Sequence, residues 1–146
     1  MQHTPREQKP SQFVTPVTVF GNLAFVSGQL PRENGTMKYA GKVGADVSVD
    51  DAQKAAALCA RACLDALAHA LSHGPSSHRR IAQIVKITGF VASAPDFTGQ
   101  GKVIDGASRV LIDTLGERGN HARSAIGVQQ LPHGASVEVE MIVGLA

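Results

Sequence analysis

Three charged side chains near the end of the chain have types and spacing that suit a small-molecule site. Arg123 stands in segment 123–128, which alternates in polarity, and Glu138 and Glu140 stand in a second alternating segment, 136–143. Alternation over this length predicts half-buried strands, in which residues i and i+2 share a face. A guanidinium can hold a carboxylate through two hydrogen bonds, and a desolvated glutamate can act as a base or orient water. This combination makes the two strands a candidate site for a small acid.

The neighbours of Arg123 on its predicted face are small. Ala125 and Gly127 share that face, which predicts open space beside the guanidinium. The turn residues between the two segments join them closely, so we expect Glu138 on a strand next to that of Arg123. The alternative interpretation of Arg123 is a structural ion pair with a nearby acid. Each glutamate, taken alone, could equally occupy a solvated position on a strand face.

The elements that must position these residues are predicted in the order ββαβαββ. A strand pair precedes a long helix, which Ser48 and Asp51 begin as a capping box and which a Gly-Pro step ends. A β-branched central strand and a second helix then lead to the closing strands. The predicted ranges are 14–20 and 23–27 for the first strands, 48–73 for the long helix, 81–91 for the central strand and 102–115 for the second helix. We therefore predict an α+β domain with two helices covering one face of a sheet.

Composition excludes several classes of protein. Hydrophobic residues make up 43% and charged residues 18%, which is ordinary for a soluble globular domain. The net charge of +2 is too small to indicate nucleic-acid binding. No apolar run reaches the ~20 residues of a membrane helix, and no signal-peptide pattern opens the chain. We expect a soluble cytoplasmic protein without a membrane partner, with residues 1–12 as a flexible arm and residues 13–146 as a single domain.

Other patterns that could carry chemistry have stronger structural interpretations. His69 and His73 have a metal-compatible spacing on the long helix, but no third ligand follows at a recognisable distance in sequence. Residues 99–102, GQGK, lack the spacing of a phosphate-binding loop. Cys59 and Cys63 point the same way on a helix, so we predict buried thiols rather than a disulfide. The sequence predicts neither a metal site nor a cofactor.

Two separated stretches resemble the RidA/YjgF family. They are GNLAFVSGQLP at 21–31 and the ordered group 122–124, 131–132 and 137–140 near the end. Segments 41–46 and 89–97 are similar to a chorismate-mutase-like branch of that family, and the resemblance runs from residue 14 to residue 143. It implies the chorismate-mutase-like (YjgF) fold, a mixed β-sheet with two helices on one face. It also implies a homotrimer with ligand clefts between subunits.

The resemblance implies hydrolysis of reactive 2-enamine and 2-imino acids to 2-keto acids and ammonia, without a cofactor. Arg123 matches the anchor of the substrate carboxylate, and Glu138 matches the catalytic residue that positions water. Ser27, Ala125 and Ile126 match further substrate-binding positions. The chemistry suits these groups, because an imine carbon is already electrophilic and needs only an oriented acid and one water.

Three positions depart from the family pattern. Ala125 stands where a cysteine is common, Val14 where an aromatic residue is common and Asp105 where an asparagine is common. These departures leave two other functions open. One is a non-catalytic role in binding carboxylate metabolites or in protein interaction through the same cleft. The other is endoribonuclease activity, for which the small net charge and the single tyrosine, Tyr39, offer little.

Overall fold

The computed structural model describes residues 13–146, and the arm predicted for residues 1–12 lies outside the described residues. The elements follow the predicted order, with one small addition after the first strand pair. They are β1 (Val17–Phe20), β2 (Leu23–Gln29), β3 (Arg32–Glu33), β4 (Thr36–Met37), α1 (Val49–Leu71), β5 (Ile81–Ala92), α2 (Gln100–Leu115), β6 (Ala122–Val128) and β7 (Val137–Leu145). The addition is the short hairpin β3–β4, whose strands have two residues each.

Five strands form the main sheet in the order β1-β2-β7-β5-β6. Strand β6 runs parallel to β5, and the other neighbours are antiparallel, so the sheet is mixed. The prediction that the last two strands are neighbours was wrong, because β5 lies between them. The chain crosses from β5 through α2 to the sheet edge as β6 and then returns to insert β7 beside β2. A short turn after a strand favours a hairpin but does not require one.

Both helices pack on one face of this sheet, as predicted. The Ser48 hydroxyl accepts a hydrogen bond from the Asp51 backbone N–H at 3.1 Å, so the predicted cap of α1 is confirmed. The small side chains along α1 let it lie close to β7. The thiols of Cys59 and Cys63 are buried and donate to the backbone carbonyls of Val137 and Val139, at 3.6 and 3.4 Å. The prediction of buried thiols is therefore confirmed.

Helix α2 begins at Gln100, two residues before its predicted start, and lies against α1. A Cβ atom at Gly106 would stand 2.2 Å from the backbone oxygen of Gln53, so only glycine permits this approach. The Gln53 side-chain amide then donates to the Lys102 carbonyl at 2.8 Å. This contact sets the position of α2, which carries part of the candidate site.

Within residues 13–146 no helix covers the opposite face of the sheet, and this face exposes large apolar side chains. Phe20 is 83% exposed, Phe25 40% and Ile126 45%. We call this surface the open face and the other the helix face. Within residues 13–146, no helix combines the length and apolar character needed to cross a membrane.

Candidate functional site

The structure divides the predicted site residues between the two faces of the sheet. Arg123 pairs with Ile87 in the β5–β6 ladder and shares its helix face, whereas Glu138 pairs with Phe90 on the open face. Strand β5 separates the two strands, and the two residues also lie in different rows. Ideal sheet spacing therefore puts the Cα atoms of Arg123 and Glu138 roughly 14 Å apart. Within one chain, they form two separate clusters.

The first, which we call the arginine cluster, consists of Arg123, Asp105, Ser108 and His121. The Arg123 Nη1 donates to the Asp105 carboxylate at 2.8 Å and to the Ser108 hydroxyl at 3.1 Å. Both partners lie on α2, three residues apart and hence on the same side of the helix. Arg123 therefore forms an ion pair with a nearby acid, and that acid is the residue at which the sequence departs from the family pattern.

His121 extends this cluster behind Ser108. Its Nδ1 lies 2.6 Å from the Gly119 carbonyl, and its Nε2 lies 2.9 Å from the Ser108 hydroxyl. A carbonyl only accepts, so Nδ1 carries the proton and, in the neutral ring, Nε2 accepts from Ser108. The Ser108 oxygen in turn accepts from Arg123. The resulting chain of hydrogen bonds holds Arg123 in one orientation.

Ser108 and His121 were not among the predicted site residues. One signal was available for Ser108, because it lies three residues after Asp105 on a predicted helix. His121 lies two residues before the predicted strand segment, and nothing in the sequence pattern relates it to α2. Only the packing of β6 under α2 brings the imidazole to the serine.

The guanidinium of Arg123 retains free donors despite these bonds. Both side-chain hydrogen bonds leave from Nη1, and among residues 13–146 no acceptor contacts Nε or Nη2. A Cβ atom at Gly101 would lie 3.4 Å from Nη2, so the glycine leaves the Nη2 side of the guanidinium uncovered. The Arg123 side chain is 27% exposed. It can therefore offer two N–H groups to a carboxylate in a partly desolvated position.

The predicted open space beside Arg123 is smaller than expected. A Cβ atom at Gly127 would lie 2.8 Å from the Gln100 amide nitrogen and 3.1 Å from the Ser93 hydroxyl. That amide donates to Ser93 at 3.1 Å and to the Phe97 carbonyl at 2.8 Å, so it is held in place. The first residue of α2 thus fills the space above Gly127, which the expectation of an open strand face did not foresee.

The two remaining β6 positions point in opposite directions. Ala125 pairs with Gly89, is half-buried on the helix face, and packs against the core. Ile126 pairs with Phe90 and presents its side chain on the open face. Ala125 thus lies on the Arg123 side, whereas Ile126 can reach that side only through its backbone.

The second group, which we call the glutamate cluster, consists of Glu138, Glu140, Gly28 and Ser27. Glu138 is half-buried and alternates with core residues of β7, and Glu140 shares its open face. Burial removes water from the Glu138 carboxylate and raises its pKa, and the charge of Glu140 raises the pKa further. A carboxyl group whose pKa lies above its usual range is better suited to proton transfer near neutral pH.

Strand β2 closes over Glu138 where its register with β7 shifts, between Val26 and Gln29. A Cβ atom at Gly28 would lie 2.7 Å from a Glu138 carboxylate oxygen, so a larger residue at this point would displace the carboxylate. The Ser27 hydroxyl donates to the Thr15 carbonyl at 2.7 Å. Its proton is therefore engaged within the chain, and its oxygen remains able to accept.

The metal-compatible histidines do not form part of either cluster. The rings of His69 and His73 stack with centroids 4.6 Å apart at the end of α1. Within residues 13–146, no three His, Cys, Asp or Glu side chains are grouped so as to hold a metal ion.

Comparisons with known proteins place this geometry in a family. The family model described as Endoribonuclease L-PSP matches residues 5–145. TCP17 of Trypanosoma cruzi is 40% identical over 126 residues, which cover 86% of this chain and 76% of TCP17. Atu1372 of Agrobacterium tumefaciens, a solved structure described as having unknown function, is 46% identical with a TM-score of 0.87, over 93% of this chain and 84% of that one.

A more distant structure supports the fold. The YjgF gene product of E. coli is 20% identical, with a TM-score of 0.61 over 88% of this chain and 85% of that one. The predicted YjgF fold, with two helices on one face of a mixed sheet, is confirmed. The match over nearly the whole chain and the 40% identity to TCP17 establish the relationship. The chain belongs to the endoribonuclease L-PSP family, which is the RidA/YjgF family.

Proposed function

We propose that this protein hydrolyses reactive 2-enamine and 2-imino acids to 2-keto acids and ammonia. Arg123 binds the substrate carboxylate, and Glu138 positions and deprotonates water. The observation that supports this proposal best is the state of Arg123. Its guanidinium is oriented by Asp105 and Ser108, is partly removed from solvent, and keeps N–H donors that no described residue uses.

The proposed step needs little beyond orientation. Water adds to C2 of the protonated imine as Glu138 takes one of its protons, and Glu138 then passes that proton to the substrate nitrogen. The C–N bond breaks as ammonia leaves with the bonding electron pair, and Glu138 takes the proton of the new hydroxyl as the keto group forms. The raised pKa of Glu138 supports its role as the group that takes and returns the proton.

The two clusters can act on one small molecule only if two copies of the chain contribute to the site. Arg123 and Glu138 point to opposite faces of one sheet, whereas a three- or four-carbon acid spans only a few ångströms. We propose the homotrimer that the family resemblance implies, with each cleft between subunits. The apolar side chains exposed on the open face support association, because such a sheet face is usually covered.

A coupled assay tests the deaminase proposal. An amino-acid oxidase generates the 2-imino acid, and semicarbazide competes with the protein for it. We expect the purified protein to accelerate keto-acid formation and Arg123→Ala to lower kcat/KM by roughly a hundredfold, because the carboxylate loses a bidentate charged partner. Arg80→Ala, which removes an exposed arginine before β5, is the control and should keep full activity. Unchanged turnover in Arg123→Ala would refute the assigned role.

A non-catalytic function in binding carboxylate metabolites is the second candidate. The separation of Arg123 from Glu138 within one chain favours it, because binding a carboxylate needs only the arginine cluster, whereas the proposed hydrolysis also needs Glu138. This function predicts saturable calorimetric binding of 2-oxobutanoate, lost in Arg123→Ala, together with no acceleration in the coupled assay. Turnover above the rate without protein would exclude it.

A further inference from the structure

We infer that Asp105 determines which carboxylates the Arg123 site accepts, and that it selects acids carrying a cationic nitrogen beside the carboxylate over the corresponding keto acids. This inference rests on one part of the proposed function, namely that Arg123 binds the carboxylate of the ligand. It adds a specificity-determining residue to that site and a charge class to its ligands.

The geometry gives Asp105 a second role besides orienting Arg123. Only its Oδ1 contacts the guanidinium, and among residues 13–146 no donor reaches Oδ2. The Asp105 side chain is 54% exposed, twice the fraction for Arg123, so the carboxylate beside the guanidinium is open to solvent. A carboxylate ligand held by the free N–H groups of Arg123 would therefore lie beside a second, negatively charged carboxylate.

The charges decide which ligands tolerate this arrangement. With a simple carboxylate bound, one guanidinium faces two carboxylates, and the local net charge is negative. With an amino or iminium acid bound, the cationic nitrogen balances the second carboxylate and can donate a hydrogen bond to it. Like charges in a partly desolvated site repel more strongly than they do in water. Asp105 therefore disfavours the ligand that lacks the nitrogen.

The other charged side chains near Asp105 do not remove this preference for ligands with a cationic nitrogen. The groove between α1 and α2 that Asp105 also lines carries side chains of both signs, with Lys54 and Arg109 opposed by Asp50 and Asp113. None of them forms an ion pair with Asp105. Among residues 13–146, Asp105 thus forms an ion pair with Arg123 alone.

The selection has a consequence for turnover under the proposed reaction. Hydrolysis replaces the protonated imine nitrogen with a neutral keto oxygen, so the product has lost the group that balances Asp105. The substrate and the product then differ in affinity for the same site. Asp105 therefore favours binding of the protonated substrate and release of the keto acid.

Calorimetry with a matched pair of stable probes tests the inference. The probes are 2-oxobutanoate and L-2-aminobutyrate, which share the carbon chain and carboxylate and differ at C2. We expect Asp105→Asn, which keeps the side-chain shape and removes the charge, to shift the affinity ratio toward 2-oxobutanoate by about tenfold. Asp105→Glu, which keeps the charge, should keep the ratio closer to that of the natural protein, and it serves if the asparagine variant does not fold.

Two further variants separate the possible outcomes. Ser108→Ala removes a neutral partner of Arg123, so it should leave the ratio unchanged; an equal shift there would attribute the effect to a looser guanidinium and overturn the inference. If Arg123→Ala abolishes binding of both probes while Asp105→Asn leaves their ratio unchanged, the inference fails and carboxylate anchoring stands. If Arg123→Ala leaves both affinities unchanged, the anchoring role itself fails.

Discussion

The arginine cluster and the glutamate cluster hold their charged groups in opposite ways. Arg123 has an ion-pair partner and a hydroxyl partner, and a histidine supports that hydroxyl from behind. Glu138 has no hydrogen-bond donor among the described residues, lies against the backbone at Gly28, and has Glu140 on the same face. The charge of Arg123 is paired and its side chain is oriented, whereas the half-buried carboxylate of Glu138 has no hydrogen-bond donor among the described residues.

This difference suits the two roles that the proposed reaction requires, which are carboxylate binding and proton transfer. An oriented guanidinium recognises a planar carboxylate, and its protonation does not change in the physiological range. A carboxyl group whose pKa is raised by burial can exchange a proton with substrate. Because Asp105, the partner of Arg123, is itself charged, a substitution at Asp105 is expected to change ligand recognition.

The largest expected effect comes from mixing two variants, one lacking the Arg123 side chain and the other lacking the Glu138 side chain. Arg123→Ala and Glu138→Ala should each have strongly reduced activity when assembled alone. If a site combines Arg123 of one copy with Glu138 of another, random co-assembly of the two variants restores both groups in roughly a quarter of the sites. Co-expression with two different tags, tandem purification and the coupled assay measure the recovery. No recovery in a verified mixed oligomer would place both groups within one subunit's site.

A smaller effect is expected from adding one methyl group beside the Glu138 carboxylate. Gly28→Ala brings a Cβ within 2.7 Å of the Glu138 carboxylate oxygen, and that carboxylate must move. We expect kcat/KM to fall on the order of tenfold or more, because displaced catalytic groups lose orientation. Gly127→Ala is the matched control, since it meets the end of the Gln100 side chain at a similar 2.8 Å. Equal losses in the two variants would contradict the separate roles of the clusters.

A moderate loss of stability is expected from removing the Ser108 hydroxyl from the arginine cluster. Ser108→Ala leaves Arg123 its ion pair with Asp105 but removes the hydroxyl between Arg123 and His121. We expect the free energy of unfolding to fall by about 1 kcal/mol, the usual value of such hydrogen bonds. Urea denaturation measures this change, and Ser77→Ala on the loop after α1 is a neutral comparison. A more stable Ser108→Ala variant would contradict the proposed support of Arg123.

The smallest effect is expected from the uncompensated charge of Glu138. Its pKa is raised in the folded protein, so ionisation costs stability as pH rises from the ordinary glutamate value of 4.5 through the folded pKa. Glu138→Gln should therefore be more stable than the natural protein at neutral pH, by about 1–2 °C in Tm given solvent screening. The difference should vanish below pH 4.5. Thermal unfolding at both pH values measures it, and a gap that widens in acid would refute this sign.

Much of the fold was predictable because local patterns and packing agree. The cap at Ser48 and the apolar alternation of β7 each have one favourable solution, and both were confirmed. The strand partners were harder. A Pro-Gly turn after β6 is compatible with a hairpin, but α2 carries β6 to the sheet edge, and β7 finds more burial between β2 and β5.

The sequence by itself identified the residues that we propose to carry the chemistry. Arg123, Glu138 and Ser27 are identifiable from residue type, strand spacing and the family motifs, and Asp105 is visible as a departure. Only the tertiary structure decided their partners. Local periodicity reports the face of an element, but not which element covers that face. The pairing of Arg123 with Asp105, its support by Ser108 and His121, and its separation from Glu138 depend on contacts between residues distant in sequence.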